Sequence, residues 1–310
     1  MKSQTNSAIR SWVLAARPKT LTAAVVPILV GSALAWRMRV LPTDLLTNSE
    51  TVFDKNLVIV ICSLLASLFI QIATNLVNDA IDFKKGADTE KRIGPQRVTQ
   101  SGLFTAKQVM RMAFVFFALA ILCGIPLLQI GGWPIFWIGV ASLLMGYGYT
   151  GGPFPLAYLG LGDLFVILFF GLIAVGGVFF LQTHTLPLAA LIAGLQVGLH
   201  CTVLIAINNL RDVHGDKLVG KKTLAVRFGI QNSKREIILL CWLPFVLNIY
   251  WLLQGYYVAA LLPLLAFPLA IKISRFIVQH EPSPQYNQIL GVGAGLHLVF
   301  GVLLSIGLWL

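Results

Sequence analysis

The sequence predicts an all-α, polytopic membrane protein, and three observations carry that expectation. Of its 310 residues, 57% are hydrophobic and only 11% charged, with a mean hydropathy of +0.82; a soluble domain carries about 25% charged residues. There is too little polar surface to cover a water-soluble core, and the same arithmetic excludes a disordered, collagen-like or disulfide-scaffold chain. The apolar residues gather in runs of the roughly 20 residues that a spanning helix needs. The net charge of +11 is concentrated in alternate polar segments, which argues for basic loops at a membrane rather than for nucleic-acid binding.

Nine runs qualify, at 20–38, 57–79, 109–129, 133–151, 159–181, 187–209, 235–254, 256–277 and 289–310. The first is followed by Ala33-Leu34-Ala35, a passable signal-peptidase site. Its charged lead is longer than a signal-peptide n-region and the run contains Pro27, so it is kept as a helix. Nine crossings place the two termini on opposite sides. Twenty of the 23 Lys and Arg lie in or beside 1–19, 80–108, 210–234 and 278–288, all on the N-terminal side; only Arg37, Arg39 and Lys55 lie opposite. By the positive-inside rule the N-terminus is cytoplasmic, in a cell (inner) membrane. The four cysteines, Cys62, Cys123, Cys201 and Cys241, each sit alone in an apolar run and read as small buried hydrophobes.

The chain reads as one domain over 1–310 with two pseudo-repeated halves. Ala73-Thr74-Asn75 followed by Asp79 matches Ala206-Ile207-Asn208 followed by Asp212, 133 residues on. Both stretches close an apolar span and open a long basic loop, giving a first motif over 75–97 and a second over 208–227.

Both motifs have helical spacing. Asn75, Asp79 and Asp82, at i, i+4 and i+7, project within roughly 60° of one another at about 100° per residue, and Gln71 continues the stripe one turn deeper. Asn208, Asp212 and Asp216, at i, i+4 and i+8, spread over roughly 80°. Like charges on one face repel unless a cation lies between them. Mg²⁺ prefers oxygen ligands and binds through a few carboxylates plus substrate phosphates. Two such clusters facing each other would hold Mg²⁺ and a diphosphate. The bland alternative, solvated loop carboxylates with Asn caps, does not account for the matched placement of both clusters.

Cations follow each cluster: Lys84, Lys85, Lys91, Arg92 and Arg97, then Lys217, Lys221, Lys222 and Arg227. Topogenic charge and contact with anionic lipid account for most of them. Arg92, Arg97 and Lys222 are the expected diphosphate contacts, since Arg offers a fork of donors and Lys a mobile point charge. His200 and His297 read as hydrogen-bonded core residues. Asp163, just inside the fifth span after Gly160-Leu161-Gly162, needs a reason to be there and reads as a functional carboxylate.

With these residues in place, the sequence resembles the UbiA superfamily of intramembrane aromatic prenyltransferases. The likeness rests on Asn75-x-x-Asn78-Asp79-x-x-Asp82, on Asn208-x3-Asp212-x3-Asp216, and on Lys222-Thr223-Leu224. It is nearest to the branch that prenylates 1,4-dihydroxy-2-naphthoate in menaquinone synthesis, through Trp12 and Arg17-Pro18-Lys19-Thr20-Leu21, Pro27 to Gly31, Arg92-Ile93-Gly94-Pro95-Gln96-Arg97 and Gly160-Leu161-Gly162-Asp163. The likeness runs from about residue 12 to 230. One departure is Gly86, where the wider superfamily often carries another Asp; Asp88 is a possible substitute.

The resemblance implies nine helices around a central cavity, capped on the cytoplasmic side by the two long loops. It also implies Mg²⁺-dependent transfer of a polyprenyl chain from polyprenyl diphosphate to 1,4-dihydroxy-2-naphthoate with decarboxylation, giving demethylmenaquinone and diphosphate. Asp79, Asp82, Asp212 and Asp216 would hold the metal, and Asn75, Asn208, Arg92, Arg97 and Lys222 the diphosphate. Tyr147 and Tyr149 are candidates to face the allylic cation, and Asp163 to orient or deprotonate a ring hydroxyl of the acceptor. The isoprenoid tail would leave sideways into lipid. Related enzymes acting on homogentisate, 4-hydroxybenzoate or haem would share the aspartates, but the 17–21 and 92–97 stretches argue against those acceptors. A CDP-alcohol phosphotransferase requires an Asp-Gly-x-x-Ala-Arg stretch that is missing here. An ion-coupled transporter places its carboxylates near the membrane midplane, whereas these cluster at the rim among cations.

Overall fold

The computed structural model describes residues 11–38, 49–86, 93–94 and 97–310, with side chains in the second stretch described from Asp54 on. Arg92 and Asp88 lie outside the described residues. All regular structure among the described residues is helical: α1 (Thr22–Arg37), α2 (Ser49–Lys84), α3 (Ala106–Gly148), α4 (Gly162–Thr183), α5 (Leu188–Arg211), α6 (Leu224–Leu253), α7 (Tyr257–Gln279) and α8 (Tyr286–Trp309). Seven of them are long and apolar enough to cross a membrane, and α1 makes an eighth crossing together with the Ser11–Thr20 segment, from which it is bent by 46°.

The ninth crossing is hidden inside α3. Its 43 residues would extend about 65 Å as one rod, twice the hydrocarbon thickness. Gly132 breaks it with φ 61° and ψ −149°, a conformation that only glycine adopts at low cost, between Pro126 and Pro134. The two halves double back on each other. Phe114 stacks on Tyr147 with ring centroids 6.4 Å apart, and Phe117 lies against Gly146. The sequence thus places this pair of spans correctly. Its start is set by a capping box, in which the Thr105 hydroxyl accepts from the Gln108 amide (3.2 Å) and the Gln108 side chain accepts from the Thr105 amide (2.9 Å).

Two packing units surround α1. One core joins α1 to α4, α5, α6, α7 and α8, with Val26, Val30, Val203, Ile207, Ile273 and Leu304 fully buried. A second joins α2 to the first half of α3 around Ala73, Val77, Val109 and Ala113. Helices α4 and α5 approach so closely that a Cβ on Gly198 would lie 2.7 Å from the Ile167 carbonyl oxygen, and one on Gly171 would strike the Gly194 backbone. Small residues permit this contact, and α4 accommodates it with a π-helical segment over Ile167–Ile173. Gly198→Val should therefore lower the thermal midpoint in detergent, at a cost of about 1–3 kcal/mol for overpacking; an unchanged midpoint would mean the two helices can part freely.

Between the α2–α3 hairpin and the α1–α4 pair lies an apolar cavity of about 460 Å³. It runs from Thr74, Tyr149 and Leu156 at the end bearing the long loops to Leu127, Ile135 and Leu181 near the Gly132 reversal. Phe165 and Phe169, stacked 5.5 Å apart, form part of its wall.

Candidate active site

Helix α2 continues past the predicted 79 to Lys84, so both aspartates of the first motif stand on helix rather than loop. Asp82, 3% exposed, is the hub. Its Oδ1 accepts from the Tyr158 hydroxyl at 2.9 Å, and its Oδ2 from Arg97 Nη1 at 3.0 Å and Lys221 Nζ at 3.4 Å. The same Lys221 ammonium lies 3.7 Å from Asp216 Oδ1. One lysine from the second loop thus sits between a carboxylate of each motif, and the two carboxylates lie close enough to share a single small ligand. Lys221 and Lys85 also lie 5.0 and 4.0 Å from the centroid of the Tyr158 ring.

The other motif residues hold the frame. Asp79 accepts from the Val98 amide (3.3 Å) and from the Thr99 hydroxyl, pinning the first loop onto α2. Asn75 donates to the Ala16 carbonyl (3.0 Å) and the Thr20 hydroxyl (3.2 Å), fixing the bent entry to α1, where Arg17 adopts a left-handed φ of 53°. Asn78 accepts from Thr150. Asp212 is gripped by both arms of Arg211, at 2.8 and 2.6 Å. Asn208 is half-buried at the end of α5 with no side-chain hydrogen bond among the described residues. Lys222 is exposed, and its backbone amide donates to the Tyr158 carbonyl (2.9 Å). Arg227 donates to Leu159 (2.7 Å), so the turn at Gly160 (φ 72°) lies directly under the second loop.

Asp163 is buried at the start of α4, and its Oδ1 lacks a hydrogen-bond partner among the described residues. The Tyr149 hydroxyl lies against neighbouring Gly162. Burial first, and then the Asp163 carboxylate, push the Tyr149 phenol well above its usual range; burial and Asp82 do the same for Tyr158. Both phenols are therefore protonated donors at neutral pH. Tyr149 lines the polar end of the cavity. Tyr147 does not: it faces outward, stacked on Phe114, which corrects its expected place beside the reacting carbon.

Among the described residues no three His, Cys, Asp or Glu side chains form a ready-made metal cage. A caged site is not required for Mg²⁺, which usually binds through one or two carboxylates and completes its shell with water and phosphate oxygens. The Asp82–Asp216 pair already accommodates one positive charge, that of Lys221, and its donors are all oxygen. These residues fit the ion.

The sequence profile of the UbiA prenyltransferase family matches residues 24–289. The chain belongs to this family. It is 33% identical over 319 aligned residues to the 1,4-dihydroxy-2-naphthoate octaprenyltransferase of Haemophilus influenzae, covering 99% of this chain and 98% of that one. An apo UbiA homologue from Aeropyrum pernix has the same fold, with a TM-score of 0.67 over 93% of this chain and 97% of that one at 13% identity. So does a UbiA homologue from Archaeoglobus fulgidus bound to DMAPP and Mg²⁺, with a TM-score of 0.56 over 96% and 99% of the two chains at 17% identity.

In this UbiA prenyltransferase, the repeat matches Asp79 with Asp212 and the sequence points to Lys222. The structure instead puts Lys221 between Asp82 and Asp216 and leaves Lys222 exposed. Nothing in the sequence marks Tyr158. Tyr158 sits in a short helix, Leu156–Leu159, between spans. Only the fold brings it to Asp82, 76 residues earlier in the chain.

Proposed function

We propose that this protein transfers a polyprenyl chain from polyprenyl diphosphate to 1,4-dihydroxy-2-naphthoate, releasing diphosphate and CO₂. The observation that carries this reading is the Asp82–Lys221–Asp216 array beside the polar end of an apolar cavity. The acceptor follows from the relative in Haemophilus influenzae, which aligns along nearly the full length of both chains.

Asp82 and Asp216, with Asp212 beside them, would hold Mg²⁺; when bound, it neutralises charge on the diphosphate as a Lewis acid. Arg97, Lys85 and Lys221 donate to phosphate oxygens, and the protonated Tyr158 hydroxyl adds a further donor. The allylic C–O bond breaks with its electron pair leaving on the diphosphate. The cation that remains is shielded from water by the cavity, where the faces of Tyr149, Phe165 and Phe169 stabilise it. Asp163, buried with an Oδ1 that has no hydrogen-bond partner among the described residues, would take or hold the proton of an acceptor hydroxyl. Attack by the ring carbon that bears the carboxylate forms the new C–C bond. Loss of CO₂ returns its electron pair to the ring, so the immediate product is the reduced form of demethylmenaquinone.

By the same reading the loop end faces the cytoplasm, since it carries nearly all of the Lys and Arg. Lys221→Ala should raise KM for the prenyl diphosphate about tenfold, as expected for loss of a charge-assisted contact. Lys222→Ala should stay near wild type. The acceptor is tested by incubating detergent-solubilised protein with Mg²⁺, a labelled long-chain prenyl diphosphate and a panel of aromatic acids, followed by mass spectrometry of the lipid extract. Prenylation of 1,4-dihydroxy-2-naphthoate with loss of CO₂ is expected. Alkylation of homogentisate or 4-hydroxybenzoate instead would overturn the assignment.

A further inference from the structure

The last helix takes part in none of the motifs, yet its second residue reaches both. Asn287 of α8 accepts from Arg211 Nη1 through its Oδ1 (2.7 Å) and donates through its Nδ2 to the Ile93 carbonyl (3.1 Å). The orientation of the amide follows from chemistry, because a guanidinium can only donate and a carbonyl can only accept. Arg211 is 2% exposed and donates from Nε and Nη2 to the two oxygens of Asp212. Ile93 lies four residues before Arg97, whose guanidinium engages Asp82. A chain of hydrogen bonds therefore runs from Asp212 through Arg211 and Asn287 to Ile93, in the same loop of the sequence as Arg97. Asn287 is itself held in place: the adjacent Tyr286 is fully buried, donates to the His280 carbonyl (3.0 Å) and packs edge-on against Phe276.

We propose that Asn287 is a positioning residue that clamps the first-motif loop to the second-motif helix end, so that Arg97 faces the diphosphate and Asp212 its Mg²⁺ in one fixed register. Its catalytic consequence rests on the diphosphate-transfer reading above; its structural consequence does not. A side chain that merely packed α8 would affect the amount of folded protein but not the first loop, which among the described residues is hydrogen-bonded to α8 through the Asn287 amide.

The test compares wild type with Asn287→Ala and Asn287→Asp, using hydrogen exchange at the Val98 amide and binding of inorganic pyrophosphate with Mg²⁺. For Asn287→Ala, Val98 exchange should accelerate and the pyrophosphate Kd should rise, each by up to about tenfold, the scale of losing the neutral amide hydrogen bond to Ile93. The KM for prenyl diphosphate should rise in step, with kcat within about twofold at saturation. Asn287→Asp keeps the acceptor for Arg211 and removes the donor to Ile93, so Val98 should exchange as fast as in Asn287→Ala. Being nearly isosteric, it decides the matter if Asn287→Ala does not fold. Wild-type exchange at Val98 in a folded variant overturns the proposal. So does faster exchange with unchanged pyrophosphate affinity, because the clamp would then order the loop without serving the site. Both effects together with failure of the naphthoate assay would leave the clamp standing and remove only the acceptor assignment.

Discussion

Asp82→Asn is expected to cut prenyl transfer by about 10²–10³-fold, the scale of losing one preorganised electrostatic group at a reacting centre. The substitution preserves size and can still accept from Tyr158, but it removes the charge that holds Arg97 and Lys221. It lies at the end of α2 and leaves every apolar span intact, so membrane insertion should be unaffected. Asp79→Asn should behave differently despite its equal burial. Asp79 accepts from the Val98 amide on Oδ2 and from the Thr99 hydroxyl on Oδ1. An asparagine oxygen can keep the first bond, while the Thr99 hydroxyl can still donate to the Asp79 backbone carbonyl (3.2 Å). A milder loss is expected, and kcat/KM for the two purified variants separates them.

The second large effect concerns chain length. Gly139 lies in the second half of α3 on the cavity wall, and a Cβ built there meets no atom within 4 Å. Gly139→Phe therefore fills cavity rather than straining backbone, and it replaces glycine with a better helix former. It should lower kcat/KM for a long-chain prenyl diphosphate by more than about tenfold, in line with the overpacking cost of placing the chain against an added ring. Dimethylallyl diphosphate should react nearly as before. A uniform loss across the chain-length series would place the isoprenoid outside this cavity.

Much of this was legible in the sequence because the bilayer imposes a hard length rule. The reversal at Gly132 shows in Pro126, Gly131, Gly132 and Pro134 crowded between two apolar runs. The end of α2 did not show: hydropathy stops at Asp79, yet the helix runs on to Lys84 because its carboxylates point inward to Arg97, Val98 and Tyr158 rather than out to lipid. The start of α6 is masked in the same way, by the polar residues between Leu224 and Glu236. Helical spacing groups residues along one helix, and Asn75, Asp79 and Asp82 do stand together on α2. In the second motif, by contrast, α5 ends at Arg211 and Asp216 stands on a separate short helix, Val213–Leu218. Spacing is blind to contacts made across helices. Lys221, Tyr158 and Asn287 acquire their roles only when distant segments meet. Arg211, counted as topogenic charge, proves to be a buried partner of Asp212.

The claim on which the rest depends is that Asp82 and Asp216 act on one shared ligand. A double-mutant cycle on Mg²⁺-dependent binding of a labelled prenyl diphosphate, with Asp82→Asn, Asp216→Asn and the pair, tests it directly. Residues sharing a ligand should be strongly non-additive, so that the second substitution costs little once the first has been made. Strictly additive losses would mean that the two carboxylates serve separate sites, and the account would be wrong.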